Sequence, residues 1–129
     1  MDALASDGIG IFMSKEVYLR LNSKYLKEAK ELLAKGEYPQ ASEKLWGAFV
    51  EAVKAVAAER NITLGTHRSI AEFVSKIHEE HPEWRLRDMF RHAESLHLNF
   101  YEDHLPGDYI LESMGVVENA IRKMLADRG

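Results

Sequence analysis

The side chains of this 129-residue chain best suited to chemistry near neutral pH are its six histidines: His67, His78, His81, His92, His97 and His104. One stretch sets a histidine at a useful distance from an arginine, Arg91-His92-Ala93-Glu94-Ser95-Leu96-His97, an Arg-x5-His spacing. That pair suits RNA cleavage without a metal: the imidazole moves the proton of a 2′-hydroxyl and the guanidinium stabilises charge on the phosphorane. Other chemistries find no support. There is no HExxH pair, and with no cysteine the chain offers no thiolate zinc site, no cysteine nucleophile and no disulfide. No serine sits in a GxSxG elbow, and Gly8 and Gly10 lack the strand and lysine of a phosphate loop. Neither a metal nor a cofactor is expected.

The remaining histidines have plainer readings. His78 and His81 flank the end of a helix beside Glu79 and Glu80, where imidazoles sit near the last carbonyls. His67 follows Thr66 in a first helical turn, where the helix dipole favours the neutral ring; capping or packing accounts for it better than catalysis. Tyr38, Trp46, Phe100 and Tyr101 could stack bases, but their spacing fits core positions better. Arg85, Arg87, Arg91 and His92 form a local basic stretch that could hold a small anion or simply be a solvated face.

Helices must position these groups. Residues 1–13, with Gly8-Ile9-Gly10, read as a flexible lead-in, and 14–129 as a single domain, the usual size for one core. The pattern predicts an all-α, antiparallel up-and-down bundle of about five helices. The first runs from an N-cap at Ser14 to Lys35 and stops at Gly36. The second starts at Tyr38-Pro39, continues to Arg60 and carries an apolar stripe broad enough to be the central helix. The third follows Thr66 with Ile70, Phe73, Val74 and Ile77 inward, and ends before Pro82. The fourth spans Pro82 to Asp103. Beyond the Pro106-Gly107 break, a fifth presents Ile110, Met114, Val117, Ile121 and Leu125.

On helix four the predicted inward stripe is Leu86, Met89, Phe90, Ala93, Leu96 and Phe100, with His97 and His104 near its middle. Positions six apart lie about 120° apart around a helix, so Arg91 sits to one side, in line with Leu98. Arg91 and His97 therefore converge only if the arginine reaches around the helix or two subunits meet there. The plainer reading of His97 is a half-buried histidine satisfied by a neighbouring helix.

Composition narrows the class. Hydrophobic residues make up 46% and charged residues 29%, which fits a soluble globular domain. A net charge of −4 gives no global reason to bind nucleic acid, though RNA stays open as a partner through the local motif. No apolar run is long enough for a membrane span, and the first residues lack a signal peptide's basic start, so a cytoplasmic protein is expected.

Four stretches, Tyr25-Leu26-Lys27-Glu28-Ala29, Gly36-Glu37-Tyr38, Gln40 to Ala48, and Leu96-His97-Leu98-Asn99-Phe100-Tyr101-Glu102, resemble the archaeal PaREP family. The family looks like a branch of the HEPN helical bundles. The resemblance implies a HEPN-like bundle, commonly a homodimer, with the Arg-x5-His stretch near the dimer seam. Active HEPN bundles are metal-independent ribonucleases, often toxins; others are non-catalytic partners of small nucleotidyltransferases. Carried over, a ribonuclease would use Arg91 and His97 with His92 as accessory, although the position after the arginine is usually asparagine or aspartate. Two functions follow: a dimerising or partner-binding module without chemistry of its own, or a metal-independent endoribonuclease. A third, a scaffold resembling tetratricopeptide repeats around Leu33 to Ala41, lacks any repeat period.

Overall fold

A computed structural model describes residues 14–126. Among these it contains α1 (Lys15–Ala34), α2 (Tyr38–Glu59), α3 (His67–Glu80), a 3-10 turn (Pro82–Trp84), α4 (Leu86–Glu102) and α5 (Gly107–Ala126), with no strand. The expected lead-in, residues 1–13, lies outside the described residues. None of the described helices is long and apolar enough to cross a membrane.

The helix ends follow local chemistry. Ser14 caps α1 by accepting from the Val17 N–H, and Gly36 takes the left-handed conformation (φ 74°) that lets the chain turn straight into α2. Thr66 and Ser69 form a reciprocal capping box at α3, each side-chain oxygen accepting from the other's backbone N–H at 3.0 Å. The predicted fourth helix begins later than Pro82. Residues 82–84 form the 3-10 turn, Trp84 stacks on His81 with ring centroids 3.9 Å apart, and Arg85 turns left-handed (φ 56°) before α4 starts.

As expected, α2 is the central element, buried along most of its length from Ala41 to Ala57 and packed against all four other helices. Its inner face carries Leu45, Ala48, Phe49, Ala52 and Val53, which meet Phe90 and Leu96 of α4, Ile70 and Phe73 of α3, and Ile110, Val117 and Ile121 of α5 in one core. The hairpin partner α1 packs chiefly on α2, burying Tyr18, Asn22 and Ala29. The two helices approach closely where Tyr25 crosses Gly47; a Cβ there would come within 3.0 Å of the tyrosine ring. Asn22 donates to the Ala48 carbonyl at 2.6 Å across the same interface.

Glu51 is buried between these helices, with Lys54 3.8 Å away. Burial pushes its carboxyl above the usual range, and Lys54 offsets part of that. The folded state therefore holds the Glu51 proton more tightly than the unfolded chain, so stability falls as pH rises through the ordinary carboxylate range to the raised folded value. Glu51→Gln removes that loss. In urea melts the variant is expected to be more stable than wild type at pH 7, the gap closing towards pH 4.

α3 runs antiparallel to α4 and is the shorter of the two. Arg87 donates to the Ser75 hydroxyl at 3.2 Å, and His67, the first residue of α3, bonds Glu94 at 2.8 Å. α3 thus runs out opposite Glu94, and the last two turns of α4 extend past it. There Leu98 is 48% and Tyr101 70% exposed. Phe100 and Tyr38, expected in the core, are each 37% exposed, and of the four aromatic residues assigned to the core only Trp46 is buried. His104, expected in the inward stripe, is exposed because α4 has already ended at Glu102 and helical periodicity no longer applies.

Candidate functional site

The three groups of the Arg-x5-His stretch leave α4 in three directions. His97 turns towards α2, where its Nδ1 bonds Glu43 at 2.8 Å and its ring stacks on Trp46 with centroids 5.0 Å apart. An ionised carboxylate only accepts, so Nδ1 carries the proton. The side chain is one-third exposed, and Nε2 has no partner among the described residues and is open to solvent. His97 is the half-buried histidine expected from the sequence, satisfied by a neighbouring helix through one nitrogen only.

His67 completes the cluster from α3. Its ring stacks on Trp46 at 5.3 Å while Nε2 bonds Glu94, and it lies 6.5 Å from His97. Rings on opposite faces of the indole would be about 10 Å apart on those spacings, so the two imidazoles share one side of it. Tyr101 closes the outer edge, its ring at right angles to His97 with centroids 5.5 Å apart. The result is a shallow site with two imidazoles, each held by its own carboxylate, over a buried indole floor. Each carboxylate fixes a tautomer and a ring orientation, as an orienting acid does for a general base. No group of three or more His, Asp or Glu among the described residues is placed to hold a metal ion.

His92 faces α5. The Ser113 hydroxyl donates to the Tyr109 carbonyl at 2.8 Å and so accepts from His92 Nε2 at 2.7 Å, while the ring stacks on Tyr109. His92 is committed to holding α4 on α5. Arg91 points outward towards the end of α3; its Nη1 donates to Asp88 Oδ1 at 2.7 Å and the side chain is largely exposed. Within one chain, then, His97 meets neither Arg91 nor His92, and the residues that do join it are Glu43, Trp46, His67 and Tyr101. The sequence holds only the local half of that grouping. Glu43 and Trp46 are three apart and so share a face of α2, and His67 opens α3 directly after its cap.

These elements define an all-α, antiparallel up-and-down bundle with a histidine-lined surface where α2, α3 and α4 meet. The chain belongs to the archaeal PaREP1/PaREP8 family, whose model matches residues 17–125. It is similar in fold to a protein from Sulfolobus solfataricus known from a crystal structure, at 22% identity and a TM-score of 0.71, over 93% of this chain and all of the other. No curated protein matches the sequence.

Proposed function

We propose that this chain is a dimerising helical module, HEPN-like and without chemistry of its own, whose self-association runs along the outer face of α4. The bare end of α4 carries the reading: Leu98 and Tyr101, one turn apart, stand 48% and 70% exposed where α3 no longer covers them. A tyrosine that open beside a leucine is the composition of an interface anchor. A two-fold axis near Glu94 would run two α4 helices antiparallel, setting one copy's Arg91 opposite the other's Leu98, with the arginine stem covering the leucine. A small nucleotidyltransferase is the alternative occupant of the same face. A cytoplasmic setting belongs to this reading and accords with the lack of cysteine.

The ribonuclease reading is favoured by one observation, the Glu43-oriented His97 with Nε2 free. The same antiparallel pairing would bring one copy's Arg91 to the other copy's His97, so one experiment addresses both readings. Sedimentation velocity is expected to show a dimer for wild type. Leu98→Glu with Tyr101→Glu weakens it about 100-fold or more, with helical content unchanged because both residues lie outside the core. A wild-type chain that stays monomeric at high concentration defeats the proposal. The same samples, incubated with single-stranded RNA in EDTA, are expected to leave it intact. Cleavage that disappears in His97→Ala and in the monomeric variant would install the nuclease instead.

A further inference from the structure

At the other end of the α3–α4 seam from His67 and His97, where α3 gives way to α4, three arginines converge. Arg87 and Arg91 are four apart on α4 and share a face, and the left-handed Arg85 swings its side chain back onto the same turn. With His78, Pro82 and Asp88 they line an open pocket of about 340 Å³.

The guanidiniums are held in place. Asp88 Oδ2 accepts from Arg85 at 2.6 and 3.1 Å, and its Oδ1 accepts from Arg91 at 2.7 Å. Arg87 is anchored through Nε to Ser75. The hydrogen bond from Arg85, with the charges of Arg85 and Arg91, keeps the Asp88 carboxyl below its ordinary range, so the strut stays ionised and the arginines stay pinned. Each guanidinium has five donors, and these bonds use two of Arg85 and one each of Arg87 and Arg91. At the α3 side of the pocket, His78 Nδ1 is buried without a partner among the described residues. The lining is rich in donors, poor in acceptors, and carries three fixed positive charges against one negative.

We infer that this pocket binds a phosphate group, free or as a terminal phosphomonoester, on the forks of Arg85, Arg87 and Arg91 with His78 at its inner wall. A planar carboxylate is saturated by a single guanidinium fork, whereas three forks arriving from different backbone positions suit a tetrahedral oxyanion. The pocket is open on its outer side, so whatever carries the phosphate can remain in solvent. His92, which the sequence groups with these arginines, takes no part; it is spent on Ser113, and His78 from α3 stands in its place.

The pocket shares Arg91 with the proposed dimer face but needs no second copy to form, and it is tested on the full chain at low ionic strength by titration calorimetry with inorganic phosphate, AMP and adenosine. Phosphate and AMP are expected to bind and adenosine not to. Tighter binding of AMP identifies a phosphomonoester as the source, and equal binding identifies the free anion. Arg85→Gln with Arg91→Gln is expected to weaken both phosphate ligands about tenfold or more, and Arg68→Gln, an exposed arginine elsewhere on α3, to leave them unchanged. Because Arg85 and Arg91 are exposed, the variants keep their helical content, which circular dichroism checks. Absence of binding by both phosphate and AMP overturns the inference. Weakening by Arg68→Gln equal to that of the pocket variants also overturns it, since binding would then follow net charge alone.

Discussion

Asn99→Ala is expected to lower the stability of the bundle by about 3 kcal/mol in urea denaturation. The side chain is fully buried, and all of its bonds are structural. Its amide donates to the Ser42 hydroxyl of α2 at 2.9 Å, and that hydroxyl donates in turn to the Tyr38 carbonyl in the first turn of α2. Its carbonyl accepts from the backbone N–H groups of His104 and Leu105, both at 2.8 Å, just after Asp103 turns left-handed at φ 47°. Asn99 therefore ties the end of α4 and its exit turn to the start of α2. Alanine strands two backbone donors, each costing roughly 1 kcal/mol or more, and removes the bond to the Ser42 hydroxyl, which keeps its own bond to Tyr38. Ser42→Ala alone is expected to cost about 1 kcal/mol, and the double variant less than the sum, because the two side chains share a bond. Strict additivity in that cycle would show that the network is not coupled.

The second large effect is expected at Trp46. Trp46→Ala costs about 3–5 kcal/mol, the usual range for a buried aromatic truncated in a core, and a substantial part of a domain's total stability. The indole packs on Phe90 as well as on both imidazoles, so its loss also removes the floor of the histidine site. Trp46→Phe separates the two roles: it retains most of the packing, but the smaller ring covers less of His67 and His97. In NMR spectra the imidazole protons of both histidines are expected to lose the ring-current shifts imposed by the indole, while core methyl signals near Phe49 stay dispersed. Unchanged His67 and His97 signals in Trp46→Phe would refute the stacked arrangement.

Most of the bundle was legible because its boundaries are written in residue types with local effects. Ser14, Gly36, Pro39 and Thr66 each act within one turn, and the breadth of the α2 stripe announced its central place. What escaped was governed by tertiary context. Nothing in the identity of Arg85 signals a left-handed residue, so the 3-10 turn after Pro82 read as the start of α4. In the last turn of α4 an apolar pattern selects Phe100, yet the buried residue is Asn99, because the exit turn needs an acceptor for two backbone donors. The separation of Arg91 from His97 follows from helical angles alone. The company His97 keeps does not: Glu43 is 54 residues away and His67 lies on another helix, so only packing brings them together.

The placement of α1 bears on how the molecule opens. That helix packs almost wholly on α2, across an extensive seam, so it can leave the bundle by parting that one seam. The ion pairs Lys15–Glu59 and Lys30–Glu118, at 3.2 and 3.4 Å, add little in water. Detachment of α1 leaves the contacts among α2, α4 and α5 in place, so its amides are expected to exchange with solvent as one unit, apart from those of the remaining core. In such an open form the α2 face around Gly47 and Ala48, which Tyr25 and Asn22 cover, lies bare, and a foreign helix could take the place that α1 has left.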